Sequence, residues 1–154
     1  MAKAFHGEYR LTIDEKNRIL IPAAIRANMD PETRGTSFML INGFDRSIWL
    51  FPEKTFDRLT AAIPSSLAPD ARQLSFERML YARSREATPD KQGRLVLPKE
   101  FTENAGIERE AALLGVRDHL ELWPVARWRE VERQLAEQMG ELSAQFRQIN
   151  EVRT

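Results

Sequence analysis

Residues 14–22 read Asp14-Glu15-Lys16-Asn17-Arg18-Ile19-Leu20-Ile21-Pro22, and a matching segment follows 76 positions later. The second copy reads Asp90-Lys91-Gln92-Gly93-Arg94-Leu95-Val96-Leu97-Pro98. Both copies contain an acid, a turn-forming residue, an arginine and three aliphatic residues before a proline, in the same order. An internal repeat is read before single elements, because it indicates an architecture built from equivalent parts.

The middle of each copy has the chemistry of a tight turn followed by a strand. Asn17 and Gly93 are equivalent, and these residue types adopt positive φ most readily, as hairpin turns require. The aliphatic runs 19–21 and 95–97 are short and continuous, which predicts buried strands. The proline after each run lacks an amide hydrogen, so it ends the strand.

An aspartate lies four residues before the arginine in each copy, giving the pairs Asp14–Arg18 and Asp90–Arg94. Across a turn, this spacing allows the carboxylate to hold the guanidinium in one direction. In the alternative interpretation the pairs only stabilise the turns, and exposed ion pairs contribute about 0–1 kcal/mol.

The composition is that of a soluble globular protein. The chain has 154 residues, 42% of them hydrophobic and 30% charged, and it has no cysteine. No apolar run approaches the length of about 18 residues that a membrane span needs, and the N-terminus lacks the apolar core of a signal peptide. We therefore expect a cytoplasmic protein with no membrane partner.

The net charge is zero, with 23 basic and 23 acidic residues, which argues against DNA binding through overall basicity. Basic residues nevertheless outnumber acids six to three within residues 72–94 and five to three within residues 1–26. Both turns of the repeat therefore lie in the basic parts of a neutral chain.

Hydrophobic periodicity and turn residues predict two similar series of elements. The first has strands at 5–13, 18–21, 37–42 and 47–51 and helices at 23–28 and 53–63. After a linker at 64–69, Asp70 caps a helix that ends near residue 83, and we expect its broad apolar side to be covered. The second series has strands at 85–88, 94–97, 111–116 and 120–123 and a helix at 99–104 that Gly106 ends.

The last predicted helix begins after Pro124 and runs nearly to the end of the chain. The residues Trp128, Leu135, Leu142 and Ile149 recur every seven positions along it. At 1.5 Å per residue, such a helix extends about 40 Å, longer than a small domain needs. We expect the part beyond Met139 either to pack on another chain or to be a solvated, frayed tail.

The sequence offers no catalytic or metal-binding set. Its two histidines, His6 and His119, lack the spacing of a zinc motif and have no cysteine to join them. His119 occupies a hairpin-turn position, where we expect a polar surface role. Gly35, Gly43 and Gly93 are isolated, so there is no glycine-rich phosphate loop. We predict a protein that is not an enzyme and uses no cofactor or metal.

The two copies resemble the core motif of the swapped-hairpin AbrB superfamily. Their duplication, the segments FHGEYRLTIDEKNR and LLGVRDHLELWP, and the long terminal helix together resemble the MraZ family of bacterial transcriptional regulators. The resemblance covers roughly residues 5–135.

The resemblance implies an α+β fold with a mainly β core. Two swapped-hairpin half-domains would form one pseudo-two-fold barrel flanked by helices, with a long C-terminal helix. The implied organisation is a SpoVT/AbrB-like domain at 5–52, helices and a linker at 53–82, a second such domain at 83–126 and the terminal helix at 127–154. Ring-like homo-oligomers are implied as well.

The function that the resemblance implies is a sequence-specific DNA-binding transcriptional regulator, a repressor associated with the nucleoid. Its double-stranded DNA sites would be repeated sequences upstream of the division and cell-wall gene cluster, including its own promoter. The DNA-binding candidates are Arg18, Arg94, Lys16, Lys91, Arg10 and Arg85. The loop-stabilising candidates are Asp14, Asp90, Asn17 and Gly93.

The two copies also differ, and other functions stay open. Gln92 stands where the first copy has Lys16, with Lys91 one place earlier, so we do not expect the loops to contribute equally. One alternative is an oligomeric module that binds protein partners, in which the ion pairs are purely structural. Another is an antitoxin-like repressor, although antitoxins of this superfamily usually carry a single copy of the motif.

Overall fold

The computed structural model describes residues 2–153 as an α+β fold with a mainly antiparallel sheet. The strands are β1 (Glu8–Thr12), β2 (Arg18–Leu20), β3 (Phe38–Asn42), β4 (Ile48–Pro52), β5 (Arg85–Ala87), β6 (Arg94–Val96), β7 (Glu110–Val116) and β8 (His119–Pro124). The helices are α1 (Ala23–Arg26), α2 (Glu53–Thr60), α3 (Ala71–Arg83), α4 (Lys99–Ala105) and α5 (Val125–Arg153). The chain divides after Pro124 into a β-rich unit and α5.

Most predicted elements are confirmed, with shifted ends. The first strand begins at Glu8 rather than at residue 5, and the second helix ends at Thr60 rather than at residue 63. Asp70 caps α3 as predicted, because its side chain accepts hydrogen bonds from two backbone amides of the first turn. Gly106 ends α4 in the left-handed conformation, with φ of 72°.

The six-stranded sheet has the order β1-β7-β8-β4-β3-β5, and all neighbouring strands are antiparallel. The hairpin β3–β4 comes from the first half of the chain and the hairpin β7–β8 from the second, and they join through β4 and β8. Each outer strand pairs with the hairpin of the other half, β1 with β7 and β5 with β3. The two halves are therefore interleaved within one sheet.

The pairing register brings equivalent residues of the two halves together. β2 and β6 form a separate two-stranded ribbon, in which Ile19 pairs with Leu95, its equivalent in the repeat. In the large sheet, Trp49 pairs with Glu121, which is equivalent when the two hairpins are aligned. The strand order of the large sheet ends at β1 and β5, and its closure into a barrel stays a prediction.

One buried core includes residues of the ribbon and of the sheet. Ile19 and Leu95 belong to it at 1% and 0% exposure. The prediction that each aliphatic run is buried throughout is wrong at its middle residue, because Leu20 and Val96 are 52% and 55% exposed. Side chains alternate along a strand, and only one face of the ribbon meets the core.

Helix α3 lies open on the surface of the described chain, so the prediction that its apolar side is covered is wrong. No residue of α3 is buried, and Phe76, Met79 and Tyr81 are exposed. At 3.6 residues per turn, its apolar residues point in several directions, so neighbours on one side cannot cover them all.

Helix α5, described by itself, is helical from Val125 to Arg153, as predicted. At 1.5 Å per residue its 29 residues extend about 43 Å. Apolar side chains are exposed along it at alternating spacings of four and three, namely Leu135, Met139, Leu142, Phe146 and Ile149. Packing of this helix on another chain stays a prediction.

Candidate nucleic-acid interface

The first loop, residues 14–18, is held in shape by the carboxylate of Asp14. Its Oδ1 accepts hydrogen bonds from the backbone amides of Lys16 and Arg18, at 2.9 and 2.8 Å. Its Oδ2 accepts a hydrogen bond from the Nε of Arg18 at 2.8 Å. One carboxylate oxygen therefore fixes the loop backbone while the other fixes the direction of the arginine. Asn17 has the positive φ predicted for the turn, 59°.

The second loop repeats these contacts. Oδ1 of Asp90 accepts hydrogen bonds from the amides of Gln92 and Arg94, both at 2.9 Å, and Oδ2 accepts one from the Nε of Arg94 at 3.0 Å. Gly93 has a φ of 84°, again as predicted. The repeat in sequence is thus a repeat in hydrogen bonding.

Hydrogen bonding lowers the pKa of both aspartates. Desolvation acts to raise the pKa of Asp14, but the hydrogen bonds donated by Arg18 and Lys16 outweigh it, and the pKa falls below its usual value. The amide of Arg94 has the largest influence on Asp90, whose pKa is also lowered. Each arginine therefore faces a full negative charge across a wide pH range.

Each aspartate uses only the Nε of its arginine. Within residues 2–153, the terminal Nη groups of Arg18 and Arg94 donate no hydrogen bond. Their side chains are 21% and 37% exposed. A guanidinium fixed at Nε presents its two Nη groups in a defined direction, a geometry that matches phosphate oxygens or the O6 and N7 atoms of guanine.

Reciprocal backbone hydrogen bonds join the two loops. The amide of Leu97 donates to the carbonyl of Asn17 at 2.8 Å, and the amide of Ile21 donates to the carbonyl of Gly93 at 2.9 Å. These two bonds are equivalent under the repeat. Each loop is therefore anchored on the strand end of the other half.

The packing over the two loops differs, however. In the first loop, the side-chain amide of Asn17 donates to the carbonyl of Leu97 at 2.6 Å and to the hydroxyl of Thr102 at 3.2 Å. The side chain thus adds a second and a third link to the other half, which a glycine cannot make.

In the second loop, Arg26 takes the space over Gly93. A Cβ added to Gly93 would lie 2.7 Å from Cδ, 2.8 Å from Nε and 2.9 Å from Cζ of Arg26. The Nε of Arg26 donates to the carbonyl of Ile21 at 3.0 Å, which fixes the side chain there. Arg26 is equivalent to Thr102 in the repeat, and sequence reasoning missed it. Its cation lies beside the loop in which Gln92 replaces the first loop's lysine.

The outward face of the ribbon carries both arginines. Arg18 pairs with Val96, and Leu20 pairs with Arg94, so these four side chains project to the side opposite the core. Two residues along a strand and one step across it place the Cα atoms of Arg18 and Arg94 about 8 Å apart. The structure thus brings together two residues that are 76 positions apart in sequence.

The other predicted DNA-binding residues differ in their exposure and contacts. Lys16 and Lys91 are exposed in the two loops, and Arg10 is exposed on β1. Arg85 on β5 is already engaged, since its Nε lies 3.3 Å from a carboxylate oxygen of Glu100 and its Nη1 donates to two nearby backbone carbonyls.

The surface role expected for His119 is wrong. Its ring is buried against Trp49 and Phe51, and its centroid lies 4.9 Å from that of each aromatic ring. Its two nitrogens lie 2.9 Å from Asp118 Oδ1 and 2.8 Å from Glu121 Oε2. Desolvation acts to lower the pKa of His119, but the two carboxylates outweigh it and raise the pKa. No local pattern around His119 indicates this burial, because Trp49 and Phe51 come from the other half of the chain.

Two absences concern residues 2–153, the part of the chain that the structure describes. Within that range, histidine, aspartate and glutamate side chains form no group of three or more suited to a metal ion. None of the helices in that range has the length and apolar character needed to cross a membrane.

The chain matches one family twice. The family model described as "MraZ protein, putative antitoxin-like" matches residues 4–77 and again residues 80–148. Three relatives named "Transcriptional regulator MraZ" span most of its length. The one from Limosilactobacillus fermentum is 31% identical over 92% of this chain and 96% of its own. The one from Symbiobacterium thermophilum is 31% identical over 88% and 92%, and the one from Syntrophomonas wolfei is 36% identical over 80% and 83%.

Proposed function

The chain belongs to the MraZ family, and on this premise we propose that it is a sequence-specific DNA-binding transcriptional regulator. One observation carries the proposal. Arg18 and Arg94 are each clamped by an aspartate through Nε and lie together on the outward face of one ribbon. Clamped guanidiniums in a matched pair suit a ligand with its own two-fold repetition of acceptors, such as duplex DNA.

In this mechanism the two arginines bind guanine edges or phosphates, and Lys16, Lys91 and Arg10 add phosphate contacts. Arg85 would join them only by exchanging its contact with Glu100. These phosphate contacts give affinity, while contacts to base edges give specificity. The neutral net charge means that binding depends on this local cluster and not on the charge of the whole chain.

The regulator is a repressor that acts on repeated sites upstream of the division and cell-wall gene cluster, including its own promoter. The two half-domains make a pseudo-two-fold barrel, which the palindromic strand order and the Ile19–Leu95 pairing support. The protein works in the cytoplasm, at the nucleoid. A ring-like homo-oligomer presents several ribbons to repeated sites, so that effective concentration compensates for the modest charge of one ribbon.

Exposed apolar surface supports the homo-oligomer. In the β-rich unit, Phe44 is 76% exposed and stacks on Phe76 at the edge of a groove of about 280 Å³ that Met79 also lines. An apolar patch of this kind marks an interaction site more often than an inert surface. Replacing Phe44 and Phe76 by serine should lower the mass measured by light scattering. An unchanged mass would exclude this surface as a subunit contact.

The function is tested by footprinting the full-length protein on the DNA upstream of its own gene and measuring affinity for the protected sequence. Arg18→Ala and Arg94→Ala should each weaken binding about 5- to 150-fold, the range for one bidentate base contact. Arg72→Ala removes the same charge from an exposed position in α3 and should have little effect. Equal loss in all three variants would show that only charge matters and would refute the assignment of the two arginines.

Two further measurements vary the number of repeats in the DNA and the salt concentration, and they test the oligomer and the phosphate contacts separately. DNA with several repeats should bind at least tenfold more tightly than DNA with one, because the oligomer gains avidity. Affinity should fall steeply as salt rises, since phosphate contacts release counterions. Equal affinity for promoter and random DNA at every salt concentration would refute sequence-specific regulation.

A second candidate follows from the wording "antitoxin-like" in the family description. In that case the chain would also bind a protein partner, as would a pure protein-interaction module with structural Asp–Arg pairs. The discriminating result is a partner that copurifies with the chain and is retained by an Arg18→Ala, Arg94→Ala double variant, in the absence of any preference for promoter DNA.

A further inference from the structure

Two exposed aliphatic side chains lie between the arginines of the ribbon. Leu20 and Val96 are 52% and 55% exposed, although their neighbours in the same strands, Ile19 and Leu95, are fully buried. They occupy equivalent positions in the two copies of the repeat. Large aliphatic side chains at equivalent, outward positions form a small apolar surface that nothing covers within residues 2–153.

The surroundings of this surface decide what can cover it. Arg18 is the cross-strand partner of Val96, and Arg94 is the partner of Leu20, so each aliphatic side chain lies directly beside a guanidinium. Both guanidiniums keep their Nη groups available within the described residues. A purely apolar partner would bury the Nη groups without hydrogen-bond acceptors, which is unfavourable even though each guanidinium is paired with an aspartate through Nε. A partner that combines negative charge with small apolar groups fits better.

Duplex DNA offers that combination in its major groove. The groove is about 12 Å wide and admits a two-stranded β-ribbon. Its edges carry guanine acceptors for arginine and the C5 methyl groups of thymine, which project from the base edge. The alternation of arginine and aliphatic residues on the ribbon therefore has a counterpart in alternating guanine and thymine edges.

We propose that Leu20 and Val96 contact thymine methyl groups in the major groove and so contribute to sequence specificity. This inference rests on the proposed DNA-binding function and adds two apolar contacts to those of Arg18 and Arg94. Arg18 and Arg94 then favour guanine, while the aliphatic residues favour thymine at positions beside it.

The test uses DNA without thymine methyl groups. Duplexes are selected from a random-sequence library with the full-length protein, and each thymine of the best sequence is replaced in turn by uracil, which lacks only the C5 methyl group. The wild-type protein should bind about four-fold more weakly for each contacted methyl that is removed, since binding then loses the burial of one methyl-sized apolar group. Wild-type binding that is unaffected by uracil at every position would overturn the inference.

The variants Leu20→Ser and Val96→Ser remove the aliphatic groups from the ribbon surface, including the methyl group that threonine would keep and could place against a thymine methyl. Each should bind the thymine duplex more weakly and the uracil duplex as the wild type does, so that the ratio of the two affinities approaches one. Val116→Ser makes the corresponding change at an exposed residue of β7 and should keep the wild-type ratio. The thymine-to-uracil ratio is independent of total affinity, so a partly weakened variant still gives an answer.

Two other results would refute the inference in distinguishable ways. If the variants keep the wild-type ratio but lose oligomeric mass in light scattering, then a second copy of the chain covers Leu20 and Val96. If the wild-type protein selects no sequence from the library, the proposed function itself fails. Selection of a sequence with a methyl-independent affinity leaves the regulator intact and removes only the assignment of these two residues.

Discussion

Replacing Gly93 by alanine should lower the free energy of unfolding by about 1.5–3.5 kcal/mol, through two separable causes. The first cause is the backbone, because Gly93 has a φ of 84° and a residue with a Cβ loses about 1–2 kcal/mol in the left-handed region. The second is Arg26, since the new Cβ would lie 2.7–2.9 Å from three of its atoms. Such distances are too short for non-bonded carbon, so Arg26 must move.

The movement of Arg26 has a cost of its own. It breaks the hydrogen bond from Nε to the carbonyl of Ile21, which contributes about 0.5–1.5 kcal/mol. In an Arg26→Ala background that bond is already absent, so Gly93→Ala should cost only the backbone component of about 1–2 kcal/mol. The coupling energy of this double-mutant cycle is therefore about 0.5–1.5 kcal/mol.

Gly106 provides a matched control. It has a φ of 72°, and a Cβ added to it would have no heavy atom within 4 Å. Gly106→Ala should therefore cost about 1–2 kcal/mol in both backgrounds, with no coupling to Arg26.

Urea unfolding followed by tryptophan fluorescence measures these energies, with the protein concentration held constant because association would shift the midpoint. The reasoning is refuted if Gly93→Ala costs the same with and without Arg26, or if it costs no more than Gly106→Ala. If Arg26 also adds to DNA affinity, Gly93→Ala and Arg26→Ala should each weaken binding, while Gly106→Ala should not.

Three further predictions concern other parts of the chain. Glu121 and Asp118 raise the pKa of His119, so its protonation stabilises the fold fully below the unfolded pKa of about 6.5, and this contribution is lost as pH rises through the higher folded pKa. Urea unfolding between pH 5.5 and 8.5 should show the free energy of unfolding falling with pH. His119→Gln should remove this dependence. Gly140→Ala should stabilise α5 by about 0.5–1 kcal/mol, because alanine favours a helix more than glycine does and its Cβ would meet no atom within 4 Å. Hydrogen exchange of the helix amides measures this stabilisation. Gly115→Ala should destabilise the protein by about 1–3 kcal/mol or more, since its Cβ would lie 2.4–2.7 Å from backbone atoms of His6, which cannot rotate away as a side chain could. An unchanged melting temperature would contradict this prediction.

The loop chemistry was predictable from sequence because it is local. Asn17 and Gly93 share the ability to adopt positive φ, and the structure has both in that region. An aspartate four residues before an arginine reaches it across one turn, whatever the rest of the fold does. The repeat also predicted two equivalent series of strands and helices, and most of them are present.

The errors concern what lies across from each residue. Leu20 and Val96 were predicted to be buried because a short aliphatic run does not reveal how many faces of a strand are covered. The burial of His119 does not follow from its hairpin-turn position, because its aromatic neighbours are some 70 positions away. Arg26 went unnoticed because nothing in its own half indicates that it packs on the loop of the other half.

Local sequence specifies the repeated unit, which consists of a turn with positive φ, a carboxylate that holds an arginine, a short strand and a proline that ends it. Each of these follows from interactions within about nine consecutive residues, so no knowledge of the partner segment is needed. The tertiary structure decided how the two units combine. Pairing of Ile19 with Leu95 buries one face of the ribbon and turns the other outward, which places two arginines and two aliphatic residues on a single surface. That outcome depends on contacts between residues 76 positions apart, and such long-range pairing is set by the packing of the whole core.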